Sequence, residues 1–157
     1  MENSIMKDEK LEKIIEVGPW KTSGAFWTWM RGGLRRSLWM RHPVKLALLK
    51  EKRYRAPLGR VSKSGIAQLV WAIDCSVCAQ CVKQSNAEVD HIHEAGSLKS
   101  VEDIQPFIER LAFVTPDDLR VVCKPCHKIL TMMSRYDMTF DEAKKRKQEI
   151  ARKKKKK

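Results

Sequence analysis

Apolar positions recur with helical spacing towards both ends of the chain and cluster in short strand-like runs in the middle. Residues 6–16 (MKDEKLEKIIE) read as a short amphipathic helix, ended by Gly18-Pro19. Over 24–41, Phe26, Met30, Leu34 and Leu38 fall at four-residue spacing, forming one stripe of a second helix. Gly32-Gly33 works against that helix, because each Gly costs roughly 1 kcal/mol relative to Ala. Pro43 can start a third helix running through Leu46, Leu48, Leu49 and Tyr54. Residues 55–68 (RAPLGRVSKSGIAQ) hold Pro, Gly and Ser without apolar periodicity and are expected to be a basic linker.

Leu69–Ile73 is a strand candidate, and Glu88–Ile92 is a second, with a turn expected at 84–86 to make a hairpin. Ile104, Phe107, Ile108 and Leu111 share one face of a helix over 101–113, in which Pro106 fits only within the first turn. Cys126 to Ser134 reads as another short helix. Thr139-x-x-Glu142 is a capping box for a last helix that runs into the lysine tail 153–157. The result is a small α+β protein without internal repeats. A basic helical region (1–68) precedes a core (69–135), and a helix with a cationic tail (136–157) follows it.

Charge changes the picture. The chain of 157 residues has 32 Lys+Arg against 19 Asp+Glu, a net charge of +13. Twelve bases face one acid (Glu51) over 18–68, and ten face three over 141–157, while 69–140 is slightly acidic. Two cationic flanks around a near-neutral centre point to a polyanionic partner, with nucleic acid the usual one. Arg31, Arg35, Arg36, Arg41, Lys52, Arg53, Arg55 and Arg60 are the candidate DNA contacts, and the lysine tail can add phosphate contacts. Trp20, Trp27, Trp29 and Trp39 lie among these bases; at helical spacing they are expected in the core more than on nucleobases. No apolar run reaches the roughly 18 residues that a membrane span needs. The acidic amphipathic start lacks a signal-peptide pattern, so a cytoplasmic setting is expected, where disulfides are rare.

The five cysteines then need another explanation. They fall as Cys75-x-x-Cys78-x-x-Cys81 and Cys123-x-x-Cys126. Two such knuckles supply four thiolates for a tetrahedral Zn²⁺, with Zn–S distances of roughly 2.3 Å. Cys75 with Cys78 is the preferred first pair, leaving Cys81 to face the core as a small hydrophobe; Cys78 with Cys81 is the alternative. Between the knuckles lies EVDHIHEAG, with Asp90 beside His91, and His127 directly follows Cys126. Strand alternation sends Asp90 and His91 to opposite faces unless the strand twists or bulges. If it does, Asp90 and His127 can hold one divalent metal, with His91 as general base for a water.

CxxC…EVDHI…LRVVCKPCHKILT resembles the HNH (ββα-metal) endonucleases over roughly 70–135. The insert GSLKSVEDIQPFIERLAF resembles the HNH proteins of tailed phages, as does, less specifically, the Arg-rich stretch from Phe26 to Arg55. The resemblance implies a zinc-stapled ββα-metal core with basic helical extensions. It makes Asp90 and His127 ligands of a catalytic Mg²⁺, Mn²⁺ or similar ion, His91 the general base, and 5′-phosphate and 3′-hydroxyl ends the products. The middle Asn of the motif falls on Asp118, which can accept N–H bonds to brace the loop but cannot donate. His93 or Glu94 stands where Pro is common, so His93 is a spare ligand candidate. Double-stranded DNA is the implied partner, with phage packaging proteins a further one and the host cytoplasm the setting. A different class of function shares most of these features: a non-catalytic, zinc-containing DNA-binding or packaging accessory protein.

Overall fold

The computed structural model describes residues 2–155, with side chains over 9–154. The last two lysines of the predicted tail lie outside the described residues. The chain forms two compact units, each built from two separate stretches: residues 1–48 with 91–119, and residues 49–90 with 120–157.

The first unit begins with α1 (Glu2–Val17), which Gly18 closes; a Cβ there would lie 2.5 Å from the Trp20 ring and 2.8 Å from the Ile14 carbonyl. Thr22 caps α2 (Ser23–Leu34), its hydroxyl oxygen accepting the Ala25 N–H at 3.2 Å. The helix does not break at Gly32-Gly33. It widens instead into a π-helical turn, Arg35–Trp39, in which the Met40 N–H reaches back five residues to the Arg35 carbonyl at 3.1 Å. That widening displaces the predicted stripe. After Leu34 the inward position falls on the fifth residue, Trp39, and Leu38 is turned out to solvent. Phe26, Trp27, Ala95, Leu98, Phe107 and Leu111 form the buried core, with Trp20, Met30, Leu34 and Trp39 packed around it. Phe107 and Leu111 come from α4 (Ile104–Ala112), where Pro106 sits in the first turn and its missing N–H removes no helical bond.

α3 (Pro43–Lys52) ends before Tyr54, and the expected basic linker contains regular structure. Tyr54–Ala56 is β1, paired antiparallel with β2 (Val70–Asp74) through Tyr54↔Ala72, Arg55↔Trp71 and Ala56↔Val70. Their connection folds into a small hairpin with a Val61↔Ala67 bridge, a turn at Gly65 (φ +80°) and a Gly59 N–H to Gln68 carbonyl bond of 2.8 Å. Apolar periodicity gave no sign of these pairs because their main-chain bonds are indifferent to side-chain polarity.

In the second unit, β3 (Cys81–Lys83) completes the order β1-β2-β3, with Asp74↔Cys81 flanking the first cysteine knuckle. The segment 84–86 is a 3₁₀ turn, but the strands on either side of it do not form a hairpin. Both edges of β2 are taken, so β4 (Ala87–His91) pairs with β5 (Leu119–Cys123), on the far side of the α4 insertion. β5 leads into α5 (Lys124–Tyr136), against which α6 (Phe140–Lys155) packs. The expected capping box opens α6: Glu142 Oε2 accepts from both the N–H and the hydroxyl of Thr139 at 2.8 Å.

Candidate functional site

Cys75 follows β2, Cys78 lies in the knuckle, Cys123 ends β5 and Cys126 sits in the first turn of α5. Their four sulfurs all lie within 4.8 Å of one another. A tetrahedral Zn²⁺ with bonds of roughly 2.3 Å separates its ligands by about 3.8 Å; Cys78 and Cys123 Sγ stand 3.9 Å apart. Main-chain N–H groups already turn towards the sulfurs, from Cys123 to Cys75 Sγ (3.2 Å) and from Cys126 to Cys123 Sγ (3.5 Å). Burial opposes ionisation of Cys75, yet the N–H groups of Cys123, Cys78 and Val77 bring its thiol down to about 6. Burial and the neighbouring thiols then push Cys126 up. Four sulfurs gathered within bonding reach of one point are a donor set for a soft cation, so this cluster can hold a metal such as zinc.

Cys81 stands outside the cluster, and not in the core as expected. Val82 packs inward against the buried cysteines, so alternation along β3 exposes Cys81, whose Sγ accepts a bond from the Tyr54 hydroxyl at 3.1 Å.

Asp90 and His127 are brought together. Asp90 Oδ1 lies 3.5 Å from His127 Nε2, and Glu88 Oε2 lies 2.5 Å from Nδ1 of the same ring. Arg120 on β5 holds the other Asp90 oxygen through Nε at 3.1 Å and Nη2 at 2.9 Å. Burial works against the Asp90 charge, but His127 and Arg120 keep its carboxyl below the ordinary range. The hydrogen bond that the His127 ring donates to Asp90, against some burial, raises the His127 pKa, with the Glu88 charge adding to it.

Glu88 and Arg120 did not emerge from the motif. The signal for Glu88 was present, since residues two apart on a strand share a face: Glu88 and Asp90 lie on one side of β4, Val89 and His91 on the other.

His91 belongs to the first unit, where its ring centre lies 4.0 Å from that of Trp39 at a tilt of 34° and its Nε2 lies 3.2 Å from the Leu111 carbonyl oxygen. It lines a cavity of about 340 Å³ with His93, Glu109, Arg110, Phe113, Val114 and Asp118. Asp118 Oδ2 accepts the Thr115 N–H (2.7 Å) and hydroxyl (2.8 Å), which fixes the turn before β5 and holds the carboxyl below its usual range. Its carbonyl accepts the Ile92 N–H at 2.9 Å. His93 and Asp118 share the cavity lining, but no metal cluster of three or more ligands other than the four cysteines exists among the described residues.

Of the basic candidates, Arg35, Arg36, Arg41, Lys52, Arg55 and Arg60 are exposed, and Arg31 and Arg53 are half-buried. Trp27 is buried and Trp39 half-buried in the core, whereas Trp29 is half exposed. No helix among the described residues is long and apolar enough to cross a membrane. No family model, no curated protein and no solved structure matches the chain.

Proposed function

We propose that this protein is a metal-dependent DNA endonuclease of the HNH type, which hydrolyses phosphodiesters to 5′-phosphate and 3′-hydroxyl ends. The observation that carries this reading is the Glu88–His127–Asp90 arrangement. Histidines that bind metals characteristically donate their second ring N–H to a carboxylate, which leaves the other nitrogen as ligand. Glu88 accepts at Nδ1 here, and Nε2 is turned towards Asp90. Two metal bonds of about 2.1 Å reach across the 3.5 Å between Nε2 and Oδ1. One carboxylate oxygen and one imidazole suit Mg²⁺, Mn²⁺ or a similar ion, which when bound supplies positive charge to the phosphate oxygens.

The HNH resemblance assigns the general base to His91, the next residue along the chain, whose ring is packed in the first unit against Trp39. A neutral imidazole nitrogen can take a proton from the attacking water. The Leu111 carbonyl and the neighbouring Trp39 ring restrain the imidazole. Arg120 keeps Asp90 ionised as a ligand. The four-cysteine cluster ties the start of α5, and with it His127, to the knuckle after β2. Affinity comes from the cationic flanks and is independent of base sequence.

Supercoiled plasmid tests this with Mg²⁺, Mn²⁺, Ni²⁺ and Co²⁺ in turn. Cleavage by the wild type and none by His91→Ala or His127→Ala is expected, and undiminished cleavage by His91→Ala removes His91 from the mechanism. One observation favours a second reading, a non-catalytic zinc-containing DNA-binding protein. Arg120 already places a positive charge on Asp90 without an ion. Plasmid left intact with every metal, by a protein that still retards it on a gel, selects that reading.

A further inference from the structure

Trp71 is 42% exposed on β2, opposite Arg55 in the β1–β2 register. Arg53 and Arg55, two residues apart, stand on the same face of the sheet as Trp71. Their guanidinium carbons lie 4.2 Å and 5.1 Å from the centre of its ring. Among the described residues neither guanidinium has a carboxylate or hydrogen-bond partner; the indole is all they touch electrostatically. The contrast with Arg110 and Arg120 is direct, since both of those commit their donors to protein oxygens.

A guanidinium held over a ring by its charge keeps its five N–H donors in a fixed fork for other partners. Two such forks, already ordered and unneutralised, suit oxyanions spaced along a polymer. The connection between β1 and β2 adds exposed Arg60 and Lys63 with no acid between Arg53 and Asp74.

We infer that Arg53, Trp71 and Arg55 form a phosphate-binding ladder for the DNA backbone, with the arginines as contacts and Trp71 as the positioning residue. This site rests on the nucleic-acid half of the proposed function and is independent of its hydrolytic half.

The test is binding of the full chain to a short fluorescein-labelled duplex by anisotropy, over a series of salt concentrations and with no divalent ion added. Each phosphate contact contributes about 0.9 to the slope of log affinity against log salt, so Arg53→Gln with Arg55→Gln flattens the slope by about 2. Trp71→Leu keeps both charges, so the slope stays while affinity falls by about two- to fivefold for each arginine that no longer stacks. Arg53→Lys with Arg55→Lys behaves like Trp71→Leu, and Trp71→Phe recovers part of the affinity; a merely structural tryptophan predicts neither pattern. Metal content and melting temperature establish that each variant is folded, and the lysine pair carries the test if Trp71→Leu is not.

An unchanged slope in the glutamine pair overturns the ladder, as does competition by polyglutamate as effective as that by unlabelled DNA. Wild type that binds without cleaving, with these slope changes intact, instead sinks the nuclease and leaves the ladder standing.

Discussion

Exchanging one exposed cysteine for serine tests the assignment of the metal cluster, because Cys78 and Cys81 are three residues apart and both exposed, yet only Cys78 belongs to it. A metal bridge from Cys78 to Cys123 closes a loop of 45 residues. The chain-entropy relation used for cross-links puts that closure at about 4 kcal/mol at 25 °C, since 2.1 + 1.5R ln 45 is roughly 13 cal/mol/K. Small domains unfold with about 5–15 kcal/mol, so this is a large share of the total and about a thousandfold in the folded-to-unfolded ratio. Cys78→Ser is therefore expected to lose the zinc proposed for this cluster and up to this much stability. Cys81→Ser gives up only a hydrogen bond from Tyr54 and keeps both. Zinc per chain is read by a chromogenic chelator after denaturation, and stability by urea unfolding with the m-value checked for constancy. Equal zinc loss from Cys81→Ser and Cys78→Ser would refute the assignment. So would a zinc-free wild type as stable as the loaded one.

The core of the first unit predicts that Phe107→Ala, at a fully buried position, costs about 3–5 kcal/mol in calorimetry or urea unfolding. Gly59→Ala drives a Cβ to 2.5 Å from the Gln68 carbonyl oxygen, so the 60–68 hairpin should become the first site cut in limited proteolysis. In the α6 capping box, the Thr139 N–H and hydroxyl hold the Glu142 carboxyl below its ordinary range. A carboxyl with a depressed folded pKa stabilises fully above its unfolded value, near 4.3, and ceases to as the pH falls through the folded one. Glu142→Gln should therefore lower the melting temperature at neutral pH, and its difference from the wild type should close in acid.

Much of the fold was legible because its helices bury one face each. Phe107 and Leu111 lie inward at the positions that period 3.6 assigns to them, and Thr139-x-x-Glu142 caps α6 as its spacing requires. The β1 strand and the 60–68 hairpin were not legible. Their stabilising contacts are main-chain bonds and an Arg–Trp stack at the surface, which leave no apolar period to read. Partner choice was also hidden: β4 looks like the second arm of a hairpin until β2 proves to be filled on both edges. Non-local pairing of this kind depends on the 27 residues between β4 and β5, whose α4 belongs with the other unit.

Strand alternation explains more of the candidate site than the Asp-His motif does. It separates Asp90 from His91, and the structure does separate them: Asp90 faces His127 and Arg120, while His91 is buried against Trp39. The same alternation places Glu88 with Asp90, which supplies His127 with the carboxylate its Nδ1 needs. Trp39 reaches His91 only because the π-helical turn moves the inward position from Leu38 to its neighbour. The irregular turn thus gives up a regular stretch of helix and places the Trp39 ring against His91.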